Sequence, residues 1–180
     1  MQAQAKSDWL RALLAVAYNF GLRKGELLGL RVSQVDPDAR TIHLLPGTTK
    51  NDKGRAIVRT EEVRRLVLDC INGKRSTDAV FTWPDGRPVT DFRRTWRFLT
   101  KRAGVPELIF HDLRRSAVRN MVRAGISKHV AKLISGHQTD SVFDRYDITD
   151  ATDLAEATRK LEARNGHGMG TARIAKQQGS

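Results

Sequence analysis

The spacing of apolar residues changes twice along this 180-residue chain, and the changes limit the folds it can adopt. Between Ser7, the expected N-cap, and Gly21, the expected stop, apolar side chains recur at helical intervals, and a helical turn is predicted at Lys24–Leu28. Strand-like segments come next, with turns at residues 36–38 and 47–54: Gln34–Asp36, Thr41–Leu45 and Ala56–Arg59. We therefore expect one small three-stranded antiparallel sheet in a mostly helical, α+β domain.

Helical spacing returns after Thr60 and continues to the end of the predicted domain. A stripe from Val63 to Ile71 stops at Gly73, a strand fragment covers Ala79–Thr82, and Thr90 is the predicted cap of a helix that carries Trp96. Further helices are predicted at Asp112–Ala124, Lys128–Ser135, Thr139–Tyr146 and Ala151–Ala163. Residues 164–180 are rich in glycine, contain basic residues and lack acids, which predicts a disordered tail after a domain at 1–163.

Charge indicates a polyanionic partner. The chain has 32 Lys and Arg against 20 Asp and Glu, a net charge of +12. Nucleic acid or an acidic membrane surface would explain the surplus, and the lack of a long apolar run makes the membrane the weaker candidate. Because Cys70 is the only cysteine, no internal disulfide can form, and a reducing, cytoplasmic compartment is expected.

Half of the surplus positive charge lies in residues 91–123, which contain nine basic residues and three acidic ones. A merely solvated basic surface is the alternative interpretation, but such clustering favours contacts with a phosphate backbone. The candidates for those contacts are Arg94, Arg97, Lys101 and Arg115.

Four local patterns contain residues suited to phosphate chemistry. Arg23 follows a glycine at the start of a helical turn, and Glu26 lies three residues on, where it can hold the guanidinium. Lys50 lies in a turn between strands, where most lysines only keep the turn soluble. His111 and Arg114 share one helix face and can grip a phosphate, while Arg115 points elsewhere; a capping or core role explains His111 equally well.

The fourth pattern is Ser135-Gly136-His137, with Tyr146 nine residues beyond the histidine. Either of these last two side chains can be purely structural when considered alone. Taken in order, the four patterns resemble those of the tyrosine recombinase (phage integrase) family, from about Trp9 to Leu161. That family has an arginine in a G-L-R-x-x-E-L motif, a hairpin lysine, an H-x-x-R box and a Gly-His motif followed by a nucleophilic tyrosine.

The resemblance implies the catalytic-domain fold of that family and a set of six catalytic residues: Arg23, Lys50, His111, Arg114, His137 and Tyr146 as nucleophile. It implies strand cleavage through a covalent 3′-phosphotyrosine, with double-stranded DNA as partner and no metal, ATP or other cofactor. It also implies a monomer in solution and a homotetramer on paired DNA sites, in a bacterial or phage-encoded, nucleoid-associated protein. Because the resemblance begins at the catalytic domain, we expect the family's N-terminal DNA-clamping domain to be absent, and the resemblance does not imply autonomous recombination by this chain.

Other classes fit less well. A cysteine phosphatase needs an arginine six residues after its cysteine, and Ser76 occupies that position relative to Cys70. The five histidines lack the spacing of metal ligands, and the glycine-rich segment 166–170 follows no strand, as a nucleotide-binding loop would require. The main alternative is a non-catalytic DNA-binding protein or inactive prophage remnant, with helices 112–124 and 128–135 as a helix-turn-helix. A type IB topoisomerase shares the chemistry but matches the motifs less closely.

Overall fold

The computed structural model describes residues 7–46 and 54–139, together with the single positions Ala5, Ser141, Ala155, Thr158, Arg159 and Glu162. Contacts divide the chain into two compact units, Met1–Phe143 and Asp144–Ser180. The architecture below belongs to the first unit, and the single described positions of the second are helical. Apart from Thr139, which is described as a bend, and these single positions, the predicted helices Thr139–Tyr146 and Ala151–Ala163 lie outside the described residues, as does the tail at 164–180.

The described part of the chain is helical with one small sheet, as the sequence predicts. Its helices are α1 (Asp8–Phe20), α2 (Lys24–Leu28), α3 (Glu61–Ile71), α4 (Arg93–Arg102), α5 (Phe110–Arg123) and α6 (Lys128–Ser135). Its strands are β1 (Val35–Asp36), β2 (Thr41–Leu44) and β3 (Arg55–Val58). The predicted bounds of α2 and α6 are confirmed, and the fragment at 79–82 forms isolated bridges rather than a named strand.

Helix α1 is the centre of the core. It packs against α3 and α5, and residues on several of its sides are fully buried, among them Leu13 and Val16. The chain leaves the helix at Gly21, whose φ of 65° lies in the left-handed region. A side chain at Gly21 would meet Ala117 Cβ at 3.2 Å, so glycine there permits both the sharp exit and the close approach of α5.

The three strands form an antiparallel sheet in the order β1-β2-β3, with Ile42 paired to both Val35 and Ile57. Alternate residues of β2 and β3 face the core, and Ile42 and Ile57 are fully buried. Gln34 was predicted as strand but ends a 3-10 turn instead. Its side chain accepts a hydrogen bond from Arg31 N–H and donates one to the carbonyl of His43, which accounts for its placement before β1.

The observed ends of several strands and helices differ from the predicted ends by one or two residues. β2 ends at Leu44 rather than Leu45, and β3 covers Arg55–Val58 rather than Ala56–Arg59. Two helices begin differently from the prediction. Thr90 does not cap α4: the helix begins at Arg93, its N-cap is Phe92, and the Asp91 carboxylate accepts from Arg93 N–H at 3.1 Å just before the helix. α5 starts at Phe110 and ends at Arg123, which places His111 inside the first turn.

Aromatic side chains fix α4 against the start of α5. Trp96 packs edge-on against Phe110 with ring centroids 5.2 Å apart, and its Nε1 donates to the carbonyl of Leu108 at 2.8 Å. The opposite side of α4 is basic and exposed. No helix among the described residues is long and apolar enough to cross a membrane.

Candidate active site

The segment between α1 and α2 carries Arg23, whose side chain is fixed by an acid and by a backbone carbonyl. Arg23 Nη1 donates to Glu26 Oε1 at 3.0 Å, and Nη2 donates to the carbonyl of Gly136 at 2.9 Å. The backbone N–H of Arg23 also donates to Glu26 Oε2 at 2.9 Å. The prediction that Glu26 holds this guanidinium is therefore confirmed, and Arg23 is also tied to the residue before His137.

Arg114 projects from α5 towards the same end of α6. Its Nη1 donates to the carbonyls of Gly21 and Ser135, and its Nε donates to His137 Nε2 at 3.1 Å. The residue is only 4% exposed. Burial, with the neighbouring charge of Arg23, lowers the pKa of Arg114 to about 10, so the guanidinium is still charged at neutral pH.

His137 lies one residue beyond the αL cap of α6, and its two ring nitrogens have different partners. The Ser135 hydroxyl donates to the carbonyl of Ala131 at 2.6 Å, so it accepts from His137 Nδ1–H across 2.8 Å. Nε2 then carries the lone pair that accepts from Arg114. This tautomer assignment requires a neutral ring. Burial and the charges of Arg114 and Arg23 lower the pKa of His137 to about 4, which agrees with it.

Glu26 and Arg55 form the buried support of the site. Arg55 Nη2 lies 2.8 Å from Glu26 Oε2, and the two side chains are 12% and 2% exposed. Burial alone would raise the pKa of Glu26, but hydrogen bonds from Arg55 and Arg23 outweigh it and the pKa is lowered. Sequence reasoning did not select Arg55. Strand alternation offered a signal, because Arg55 and the buried Ile57 are two residues apart and share one face of β3.

The last turn of α6 is where these groups meet. The carbonyls of Ile134, Ser135 and Gly136 accept hydrogen bonds from guanidinium groups on three different elements. Those donors are Arg55, Arg114 and Arg23. The C-terminal end of a helix is partially negative, so it suits a cluster of cations that would otherwise repel each other. The arrangement concentrates positive charge where an anion can bind.

The structure describes only one of the three remaining predicted catalytic residues. His111 lies on the surface at the start of α5, and partial desolvation of its ring with the charges of Arg114 and Arg115 lowers its pKa. Lys50 and Tyr146 lie outside the described residues. Within the described residues, no three His, Cys, Asp or Glu side chains are grouped as metal ligands would be.

The predicted backbone-contact residues are exposed. Arg94, Arg97 and Lys101 lie on the outer face of α4, beside Phe98, which is 66% exposed. None of the three basic residues forms an ion pair within the described part of the chain. Arg115 differs, because its Nη1 lies 3.0 Å from Asp112 Oδ1. As predicted, it turns away from Arg114.

Comparison with solved structures identifies the fold. The protein resembles the XerA recombinase crystal structure, with a TM-score of 0.69 and 24% identity over 89% of this chain and 60% of that one. It resembles the Tn1549 transposon integrase, solved in complex with transposon right end DNA, with the same TM-score and 19% identity over 90% of this chain and 61% of that one. The described architecture is therefore that of a tyrosine recombinase catalytic domain, as predicted.

Sequence comparison gives the family. The model of the phage integrase family matches residues 1–152, so this chain belongs to that family. It is 25% identical to the integrase of Salmonella phage P22 over 86% of this chain and 43% of the relative. It is 30% identical to the shufflon-specific DNA recombinase of Escherichia coli over 88% of this chain and 39% of the relative. The chain thus spans about two fifths of the length of these curated relatives.

Proposed function

We propose that this chain is the catalytic domain of a site-specific DNA recombinase that cleaves and rejoins strands through a covalent 3′-phosphotyrosine. One observation carries the proposal. Two guanidinium groups and an imidazole, from Arg23, Arg114 and His137, lie together at the end of α6 although they are far apart in sequence. This combination suits binding and stabilisation of a phosphodiester.

The two arginines have donors left for a phosphate. A guanidinium carries five N–H groups. The side-chain bonds described for Arg23 use one N–H on Nη1 and one on Nη2. Those described for Arg114 involve Nε and Nη1, so both N–H groups of its Nη2 are available within the described residues. We assign Arg23 and Arg114 to the non-bridging oxygens, where their charge offsets the charge that develops in the transition state.

The remaining roles complete the reaction. Tyr146 attacks phosphorus, the bond to the 5′ oxygen breaks, and Lys50 gives that oxygen its proton while His111 assists the proton transfer from the phenol. Burial and then the neighbouring cations hold the pKa of His137 low; a bound phosphate offsets the charge of those cations, so that His137 can add a hydrogen bond to the same phosphate. The 3′-phosphotyrosine conserves the bond energy. Rejoining reverses the step without ATP or a metal ion.

Assembly is part of the same proposal. Lambda integrase has been solved as a tetramer bound to a Holliday junction. We propose that this chain is a monomer in solution and that its recombinase forms a homotetramer on paired double-stranded sites in the bacterial nucleoid. Sedimentation of the full chain with and without paired sites tests this, and a stable tetramer in the absence of DNA would contradict it.

The test of cleavage is covalent trapping on nicked duplexes of randomised sequence, in buffer containing EDTA. We expect a protein–DNA adduct in which the modified peptide contains Tyr146. Tyr146→Phe should bind DNA with unchanged affinity and form no adduct, because it lacks only a hydroxyl group. Tyr18→Phe is the matched control, since Tyr18 is the only other tyrosine and lies in α1. Binding without any adduct would favour a non-catalytic DNA-binding protein, and an absolute magnesium requirement would contradict the mechanism.

A further inference from the structure

Arg55 is a part-buried arginine that bonds to the site and to which the proposed reaction assigns no role. It opens β3, with its side chain turned to the core side of the sheet and 12% exposed. Its Nη2 and Nη1 lie 2.8 and 3.3 Å from the two carboxylate oxygens of Glu26. Its Nε donates to the carbonyl of Ile134 at 3.1 Å. One planar group therefore bonds simultaneously to a carboxylate and to the end of α6.

The carboxylate that Arg55 holds is the one that orients Arg23. Glu26 Oε1 accepts from both Arg55 Nη1 and Arg23 Nη1, and Oε2 accepts from Arg55 Nη2 and from Arg23 N–H. Glu26 is thus shared between Arg23, which we propose binds the phosphate, and Arg55, to which we assign no phosphate contact. Without the Arg55 side chain, the carboxylate would be free to rotate towards Arg23, and the direction of the Arg23 guanidinium would no longer be fixed.

Arg55 also limits the path of the chain into His137. A side chain at Gly136 would meet Arg55 Cζ and Nη1 at 2.7 Å, and the φ of Gly136 is 70°. The guanidinium therefore lies directly against the backbone of the residue that precedes His137. A side chain at this position would displace the Arg55 guanidinium, and the left-handed φ by itself favours glycine.

We propose that Arg55 is a positioning residue for strand cleavage, acting through Glu26 on Arg23 and through the Ile134–Gly136 backbone on His137. Arg55 is five residues from Lys50 in the sequence, so it also anchors the strand that follows the lysine-bearing segment. This inference rests on the proposed function, although the geometry it predicts can be measured without cleavage. Lysine cannot replace Arg55, because an ammonium group lacks the planar fork that reaches a carboxylate and a carbonyl together.

The test compares Arg55→Met and Arg55→Lys in the full chain with Lys74→Met as matched control. Lys74 is also a part-buried cation bonded to backbone carbonyls, those of Ala79 and Val80, and it has no bond to the site among the described residues. Two measurements are made. ¹⁵N NMR follows the Arg23 Nε signal and the His137 titration in the free protein, and single-turnover adduct formation follows the chemistry.

For Arg55→Met we expect a shifted Arg23 signal, a higher His137 titration midpoint, and cleavage slowed by about 10- to 100-fold with DNA affinity changed less than about 2-fold. Arg55→Lys keeps the charge, so we expect it to recover most of the stability and still cleave at least about 10-fold more slowly. Lys74→Met should reduce stability and leave both site signals and the cleavage rate unchanged.

Each outcome decides the proposal. Wild-type cleavage together with unchanged Arg23 and His137 signals in a folded Arg55→Met protein would overturn it. If Arg55→Met does not fold, Arg55→Lys decides, and a wild-type rate in that variant overturns the proposal. If the unmodified chain forms no adduct, the proposed function fails; the NMR signals of the Arg55 variants still show whether Arg55 positions Arg23 and His137.

Discussion

Nε of Arg114 donates a hydrogen bond to Nε2 of His137 across 3.1 Å, which joins two candidate phosphate ligands that are 23 residues apart in sequence. The bond requires a lone pair on Nε2, and the Ser135 hydroxyl fixes the proton on Nδ1. The free site is thus organised around a neutral imidazole between cations. A histidine of this kind makes folding sensitive to mildly acidic pH.

We expect the free energy of unfolding to decrease as the pH falls from about 6.5 towards about 4. The pKa of His137 is lowered from 6.5 to about 4, first by burial and then by the charge of Arg114. Between these values the unfolded chain binds a proton that the folded chain does not, so acid favours unfolding, and the contribution is fully present above pH 6.5.

Urea unfolding at several pH values checks this, with His137→Gln as the comparison. The pKa of His111 is also lowered, so His111 contributes a pH dependence of the same sign. Only the difference between the two proteins therefore isolates the contribution of His137. The variant should show the shallower pH dependence in this range. Parallel curves for the two proteins would contradict the prediction.

Ser135→Ala should destabilise the protein by about 1 to 2 kcal/mol, because it removes a buried hydroxyl that bonds both Ala131 and His137. Without an acceptor at Nδ1, His137 should populate the tautomer that is protonated at Nε2, and the bond from Arg114 should weaken. The ¹⁵N shifts of the ring nitrogens report this directly. Ser127→Ala is the comparison, since Ser127 caps the other end of α6 by accepting from Val130 N–H. It should cost stability and leave the tautomer unchanged.

The helices and the candidate catalytic residues were predictable because their signals are local. Glycine breaks and apolar spacing indicated the bounds of α2 and α6, and family motifs indicated Arg23, Arg114 and His137. The support of the site was not predictable in the same way. Arg55 reaches carbonyls 79 and 80 residues away in sequence, and it follows a lysine- and glycine-rich run that is typical of a solvated turn. The prediction of Thr90 as the cap of α4 was wrong because the helix begins later, after Phe92, and the packing that sets this start is not visible in a local cap signal.

Cys70 should be almost inert towards thiol reagents in the folded protein. The residue is 7% exposed in α3, and burial raises the pKa of its thiol to about 11. A rise of about 2 pKa units lowers the thiolate fraction at pH 8 by about 100-fold, before access is considered. Reaction with a chromogenic disulfide should therefore follow global unfolding in urea. Rapid reaction under native conditions would contradict the burial, and a nucleophilic role for this cysteine would then need to be reconsidered.

The exposed face of α4 should bind phosphates of the DNA backbone. Arg94 and Arg97 are exposed on this face without an ion pair among the described residues, so their charges are available to a DNA backbone. Removing one cation that binds a phosphate should reduce the slope of log K against log salt by about 0.9, so Arg94→Gln with Arg97→Gln should reduce it by up to about 1.8. The matched control is Arg75→Gln with Arg87→Gln, which removes the same charge from two exposed arginines already paired with Asp78 and Asp85. A smaller slope in the α4 variant than in the control assigns phosphate binding to this face. Equal slopes in the two double variants would mean that only net charge matters and that the DNA lies elsewhere on the protein.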